Sequence, residues 1–191
     1  ENVHYSTTST DGTTKEGTTT AGGEFSYQPG DTITFTIGGI TLGTVDVSKK
    51  ITPLDLAGSI DPQDETVINI AQLLQSLDAD GDLTNGISIA DTAHTNAQDI
   101  IMDFSSSDFD ASDFDTDNQV INLVANSGST QTTLVEGSTA LAQLEAKLSI
   151  SVDPVDPVDP VDPVVPANVL PTANAGSNQT VNERAGVTLS G

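Results

Sequence analysis

The sequence predicts an α+β fold, an N-terminal β-meander followed by a small helical subdomain, on three observations. Apolar residues alternate with period two before residue 47, the period changes to three or four after residue 56, and strands precede helices instead of alternating with them. That order argues against the βαβ units of a parallel sheet. The module is expected to span 1-150, within the usual range of one domain.

From Val3 to Val47 the chain is rich in Thr, Gly and β-branched residues, and Phe25, Tyr27, Ile33, Phe35 and Ile37 fall on alternate positions. Asp11-Gly12, Gly22-Gly23, Pro29-Gly30 and Gly38-Gly39 supply the turns, and Thr32 to Ile37 is the clearest strand. Beyond Thr52-Pro53-Leu54-Asp55-Leu56, residues Val67, Ile70, Ala71, Leu74 and Leu77 mark one face of a helix. Asp61 and Pro62 are expected to start it, with Asp64 and Glu65 adding negative charge where the helix dipole favours it. Further helices are expected within Ile89 to Met102, over Gln119 to Ala125, and from Ser138 to Leu148 with Leu141, Leu144 and Leu148 inward.

Residues 151-169 form a linker whose core, Asp153 to Pro166, reads DPVDPVDPVDPVVP. A three-residue repeat matches the turn of polyproline II, so these 14 residues are expected to extend roughly 43 Å as a spacer.

Composition narrows the function classes. Against 28 acidic side chains stand Lys15, Lys49, Lys50, Lys147 and Arg184, for a net charge of -23 and no cysteine. No basic patch exists to neutralise phosphates or lie on an anionic membrane, so nucleic acid is not an expected partner, and a divalent cation is the cheaper counter-charge. No apolar run reaches the ~18 residues of a membrane span, so direct membrane insertion is not expected. Any export signal is expected upstream of Glu1.

The sharpest motif is Asp78-Ala79-Asp80-Gly81-Asp82-Leu83-Thr84-Asn85-Gly86-Ile87-Ser88-Ile89. Carboxylates at alternate positions of a glycine-containing loop can converge on Ca²⁺, and the loop resembles an EF-hand or dockerin half-site. It departs from that pattern at Gly81, which sits at position four instead of six, and at Ile89, which stands where a bidentate Glu belongs. The expected ligand set is Asp78, Asp80, Asp82 and Thr84, with Asp91 or a carboxylate from elsewhere completing the shell. The alternative is a turn in which these Asp side chains cap backbone groups and Asn85-Gly86 reverses the chain. Weak Ca²⁺ binding is preferred because crowded carboxylates without a basic neighbour destabilise one another.

A second acidic tract repeats Asp-Phe at 103-104, 108-109 and 113-114. Five-residue spacing suits neither helix nor strand, so it predicts successive turns with rings anchored in the core. Catalytic readings lack parts. The histidines are His4 and His94 alone, cysteine, HExxH and GxSxG are absent, and a 4% aromatic content without Trp lacks the platforms of sugar-cleaving sites. The expectation is a protein without enzymatic activity.

Two resemblances locate the chain. Residues 170-191, with Pro171-Thr172-Ala173-Asn174-Ala175-Gly176, Gln179-Thr180-Val181 and Val187-Thr188-Leu189-Ser190-Gly191, resemble the first strands of a PKD-type, Ig-like β-sandwich repeat of bacterial surface proteins. The stretches Gly23 to Asp31, Gly39 to Gly43, Ile51 to Leu56 and Asn69 to Ile89 resemble a module near the N-terminus of large Gram-negative surface lipoproteins and adhesin-like proteins. The resemblance implies an extracellular or outer-membrane surface location and a role in adhesion or display, with a surface receptor or neighbouring copies of itself as partner. A self-assembling fibre subunit and an accessory domain of a secreted hydrolase are the alternatives.

Overall fold

The computed structural model describes residues 1–107 and 109–150; the linker and the start of the Ig-like repeat lie outside the described residues. The fold is mixed α+β. Strands β1 (His4–Thr8), β2 (Thr14–Thr18), β3 (Thr32–Ile37), β4 (Ile40–Asp46) and β5 (Met102–Asp103) make one sheet in the order β2-β1-β3-β4-β5. All neighbours are antiparallel except β4 and β5, which are parallel.

This order corrects the expected meander, because β1 lies between β2 and β3 instead of at an edge. The cause is the segment 19–31, which crosses from one side of β1 to the other. Phe25 anchors the crossing, its ring edge-on to Phe35 at 5.5 Å and to Tyr5 at 6.2 Å, while the Ser26 N–H donates to the Tyr5 hydroxyl at 3.1 Å. The alternation of Phe25 and Tyr27 therefore marks no strand: one ring packs on the core and Tyr27 is left exposed.

Inward residues of the sheet follow the pleat. Tyr5 and Thr7 on β1 stand opposite Phe35 and Ile33 on β3, and all four point to the helices. On β4 the register shifts after Phe35, so Ile40 and Leu42 face inward before the bulge and Val45 after it. An extra residue changes the parity of every side chain beyond it, and Gly43 absorbs that change. A Cβ on Gly43 would lie 2.5 Å from the Leu56 carbonyl, so only glycine lets the short helix α1 (Pro53–Ala57) lie on this strand. Helix α1 carries its own punctuation, a Thr52 and Asp55 capping box, Pro53 at its start and Gly58 in the left-handed conformation at its end.

Helix α2 (Glu65–Ser76) matches the expected apolar face, yet it starts later than expected. Asp61 and Pro62 form a preceding turn, with Asp61 accepting from the Gln63 N–H, and Asp64 is the true cap, accepting from Thr66 N–H at 2.9 Å. The helix is buried on two sides. Ile70, Leu73 and Leu77 enter the core beneath the sheet, while Val67 and Ala71 pack on Ala140 and Leu144 of helix α5 (Gly137–Ile150). The inward seam of α5 is thus Ala140 and Leu144 with Leu148 partly buried, and Leu141 is outside this cluster.

Helix α3 (Asp91–Asn96) falls within the expected window, and α4 (Asn118–Asn126), capped by Asp117, runs one residue beyond the expected Gln119 to Ala125 at each end. The Asp-Phe tract is turns and a 3₁₀ helix (Ala111–Thr116), with Phe104 and Phe114 buried and Phe109 4.7 Å from Phe104 between ring centres. Strand β5 is set by a backbone contact. The Gly39 N–H donates to Ala97 O at 2.8 Å and the Phe104 N–H to Thr41 O at 3.0 Å, which aligns the chain after α3 with β4.

A helix buried on both sides must place its polar side chains against other segments. Asn69 donates to Ala111 O at 2.8 Å, Gln72 to Asp115 at 2.7 Å and Gln75 to Ala140 O at 3.1 Å. Ser76 is fully buried, donating to Gln72 O at 2.7 Å and accepting from the Val135 N–H at 2.9 Å. Removing that acceptor strands a backbone N–H. Ser76→Ala is expected to lower unfolding stability by about 1–3 kcal/mol in urea titration, the cost of one unsatisfied buried donor. An unchanged midpoint would show that Val135 finds water instead.

Candidate functional site

Helix α2 delivers its last residues into a closed loop. Asp78 bridges Ile89, and the Ala79 N–H donates to Ser88 O at 2.7 Å, so residues 79–88 form one excursion with joined ends. From the far side, Ser129 donates its hydroxyl to Asp78 O at 2.5 Å and the Thr130 N–H donates to Ala79 O at 3.0 Å. A Cβ on Gly81 would lie 2.8 Å from the Thr130 hydroxyl oxygen, so the loop backbone sits directly against this segment.

Within the loop, Asp80 accepts from the Asp82 N–H at 2.9 Å and from the Asn85 amide at 2.9 Å. Asp82 accepts from both the Thr84 N–H at 3.0 Å and the Thr84 hydroxyl at 2.6 Å. These bonds hold the Asp80 and Asp82 carboxyls below the usual range, with the Asp82 N–H the largest influence on Asp80 and the Thr84 hydroxyl on Asp82. They are the contacts that a turn-and-cap loop requires.

Asp78 is different. Its side chain is fully buried, Oδ1 accepts from the Ser88 N–H at 2.8 Å, and Oδ2 has no hydrogen-bond partner. Burial pushes its pKa up, the Ser88 N–H opposes that shift, and the neighbouring Asp80 carboxylate adds to it.

Asp91 stands apart from these three. It opens α3 and accepts from the Asn2 amide at 2.9 Å, and the same amide nitrogen donates to Ile89 O at 2.7 Å. The Ile89 N–H donates to Glu1 O at 3.1 Å, and the Glu1 nitrogen donates to Ile87 O. The N-terminal residues thus run beside the returning arm of the loop. Among the described residues, no three His, Asp or Glu side chains converge into a metal-holding group. Asp78 and Asp80 are neighbours, Thr84 serves Asp82, and Asp91 serves Asn2. The spacing of the aspartates was legible in sequence, but Asn2, Ser88, Ser129 and Thr130 were not, because no local pattern links positions so far apart.

The histidines are structural in this arrangement. His94 is buried and stacks on His4 at 4.0 Å between ring centres. Its Nδ1 accepts from the Gly38 N–H at 3.3 Å and its Nε2 lies 2.6 Å from Asn2 O, so a neutral ring protonated at Nε2 satisfies both neighbours. The ring therefore joins the N-terminal segment, the β3–β4 turn and α3.

An apolar cleft of about 420 Å³ lies between the 19–31 crossing, α1 and the acidic loop, walled by Val3, Phe25, Phe35, Leu42, Leu56 and Leu74. Glu1 and Lys147 also line it, and no helix among the described residues is long and apolar enough to cross a membrane.

Burial holds the His94 pKa below its ordinary 6.5, and His4 acts in the same direction, while the Asn2 carbonyl and Asp91 oppose it. A depressed histidine pKa means that the unfolded chain takes up a proton near pH 6.5 while the folded chain does not. Stability from the neutral ring is therefore complete above about pH 6.5 and declines as pH falls toward the folded-state value. Urea midpoints at about pH 7.5 and 5.5 should show this loss for the native chain and a smaller one for His94→Gln, which cannot titrate there. Equal losses would assign the acid sensitivity to other groups.

Scans of protein-family models, of curated proteins and of solved structures return no match to this chain.

Proposed function

We propose that this chain is a non-catalytic module of a secreted or cell-surface bacterial protein, serving adhesion or surface display. The observation that carries the reading is the second face of the sheet, polar along its length and largely uncovered among the described residues. Away from the core, Thr8 and Thr44 are exposed and Ser6, Thr34 and Thr36 half-buried, while His4 at one end of this face stacks on His94 of α3. An antiparallel sheet can keep one face in water, and hydroxyls in a rigid pleat offer donors and acceptors at fixed spacing for a polar receptor. The Thr34 and Thr44 hydroxyls already lie 2.8 Å apart across strands. Both histidines are committed to packing or hydrogen bonds in the fold, which favours recognition over turnover. The resemblance to N-terminal modules of Gram-negative surface proteins supports the same location.

A second reading, the self-assembling fibre subunit, has its own support. Among the described residues, strand β2 pairs on one side only, with β1, and its other edge is open to strand addition.

Particles coated with the full chain and offered to intact cells of the producing organism or its neighbours test the adhesive reading. Thr34→Lys with Thr36→Lys, both directed away from the core, should reduce attachment by roughly tenfold or more, equivalent to ~1.4 kcal/mol, without moving the unfolding midpoint. Attachment that ignores the substitutions removes the face from consideration. Hydrolysis of peptide, ester or glycan that is lost on changing one His or Asp would replace adhesion by catalysis, and ordered polymers of the pure chain would favour the fibre.

A further inference from the structure

Three buried side-chain oxygens among the described residues lack a hydrogen-bond partner: Gln72 Oε1, Gln75 Oε1 and Asp78 Oδ2. The two amides are neutral and donate through their nitrogens, so each loses one acceptor contact. Asp78 is an acid, and its ionised form, buried with one oxygen unpartnered, is far more costly than an unpaired amide oxygen. Its neighbour makes this worse, because the ionisable group that acts on it is the acidic Asp80. The cation close to the loop, Lys147, acts on Asp82.

A hard divalent cation removes this cost. Each carboxylate oxygen has two acceptor sites, and those of Asp80 hold one hydrogen bond each, to the Asp82 N–H and the Asn85 amide. A second site on each therefore remains, next to the unpartnered Oδ2 of Asp78. We infer that the 78–88 loop holds one Ca²⁺ between Asp78 Oδ2 and the Asp80 carboxylate, with water and loop carbonyls completing its shell. The ligand set is narrower than alternate spacing implies. Asp82, although Thr84 occupies only one of its oxygens, has Lys147 to offset its charge as Asp78 and Asp80 do not, and Asp91 is held by Asn2. This site is independent of the surface reading, since an ion that joins the end of α2 to its loop acts on folding whatever the module binds.

Calcium fits the site better than magnesium. Ca²⁺ accepts six to eight oxygens in an irregular shell, whereas Mg²⁺ demands a tight octahedron and gives up water reluctantly. Two protein carboxylates imply weak binding, on the order of 10⁻⁴ to 10⁻³ M, the range of extracellular modules.

The test is thermal unfolding of the full chain in EDTA, in ~10 mM CaCl₂ and in ~10 mM MgCl₂, with Asp78→Asn, Asp80→Asn and Asp82→Asn as variants. Ca²⁺ should raise the midpoint of the native chain and of Asp82→Asn by roughly 4–8 °C, and Mg²⁺ by much less. Asp78→Asn keeps an acceptor for the Ser88 N–H and removes the buried charge, so in EDTA it should be at least as stable as the native chain while showing no Ca²⁺ response. If Asp78→Asn does not fold, Asp80→Asn, altered at an exposed position, carries the test with the same expected loss of response. A native midpoint indifferent to Ca²⁺, an equal response to Mg²⁺, or a Ca²⁺ response that survives at Asp78→Asn or vanishes at Asp82→Asn would overturn the assignment.

Discussion

Burial of helix α2 on two sides is the constraint from which most of this structure follows. One side supplies Ile70, Leu73 and Leu77 to the core beneath the sheet, and the other supplies Val67 and Ala71 to the contact with α5. A helix so enclosed keeps its remaining polar residues only by bonding them to whatever lies beside it. Asn69 and Gln72 thereby fix the 3₁₀ segment, Gln75 fixes the start of α5, and Ser76 fixes the chain at Val135. These four side chains decide where the 3₁₀ segment, the backbone at Val135 and the start of α5 lie. The next residues after that polar stripe are Leu77 and Asp78, so the helix that organises the core also carries a carboxylate into it.

The acidic composition acquires a local meaning. Asp11, Asp61, Asp64, Asp103, Asp110 and Asp117 each accept from the backbone N–H two residues on, closing turns or starting helices. In this role a carboxylate is stabilised where it stands and needs no basic partner, which is how a chain with 28 acidic and 5 basic side chains can avoid a broad electrostatic penalty. Asp11 and Asp110 are held below their usual pKa range for this reason, chiefly by the Thr13 N–H and the Ser112 hydroxyl. Counting acids in such a chain says little about metal sites. What distinguishes Asp78 is that burial, and not crowding alone, denies it this solution.

The legible parts of the fold were those governed by neighbours in sequence. Thr32 to Ile37 alternates and is a strand with those bounds, and Val67, Ile70 and Ala71 recur at helical spacing and are buried. The strand order was not legible. It depends on Phe25 choosing Phe35 as its partner across a crossing, and nothing within residues 19–31 states that choice. Strand β5 is two residues long and exists because Gly39 lets the β3–β4 turn touch Ala97, a contact between distant segments. The start of α2 was misplaced for a subtler reason: Asp61 and Asp64 both form the contact of a cap, and only the second is followed by helix.

The same division applies to the candidate site. Alternating Asp78, Asp80 and Asp82 in a glycine-containing loop identify where chemistry can occur, since the spacing is local. They do not identify which carboxylates are available, because availability depends on what each already accepts. Thr84 satisfies one oxygen of Asp82, Asn85 and the Asp82 N–H engage Asp80 once on each oxygen, and Ser88 reaches only one oxygen of Asp78. The Asp78↔Ile89 bridge and the Ser129 contact flank Asp78 on both sides, and the oxygen that remains is buried without a hydrogen-bond partner. Two features that look alike in sequence, an aspartate closing a turn and an aspartate awaiting a cation, are separated by that enclosure.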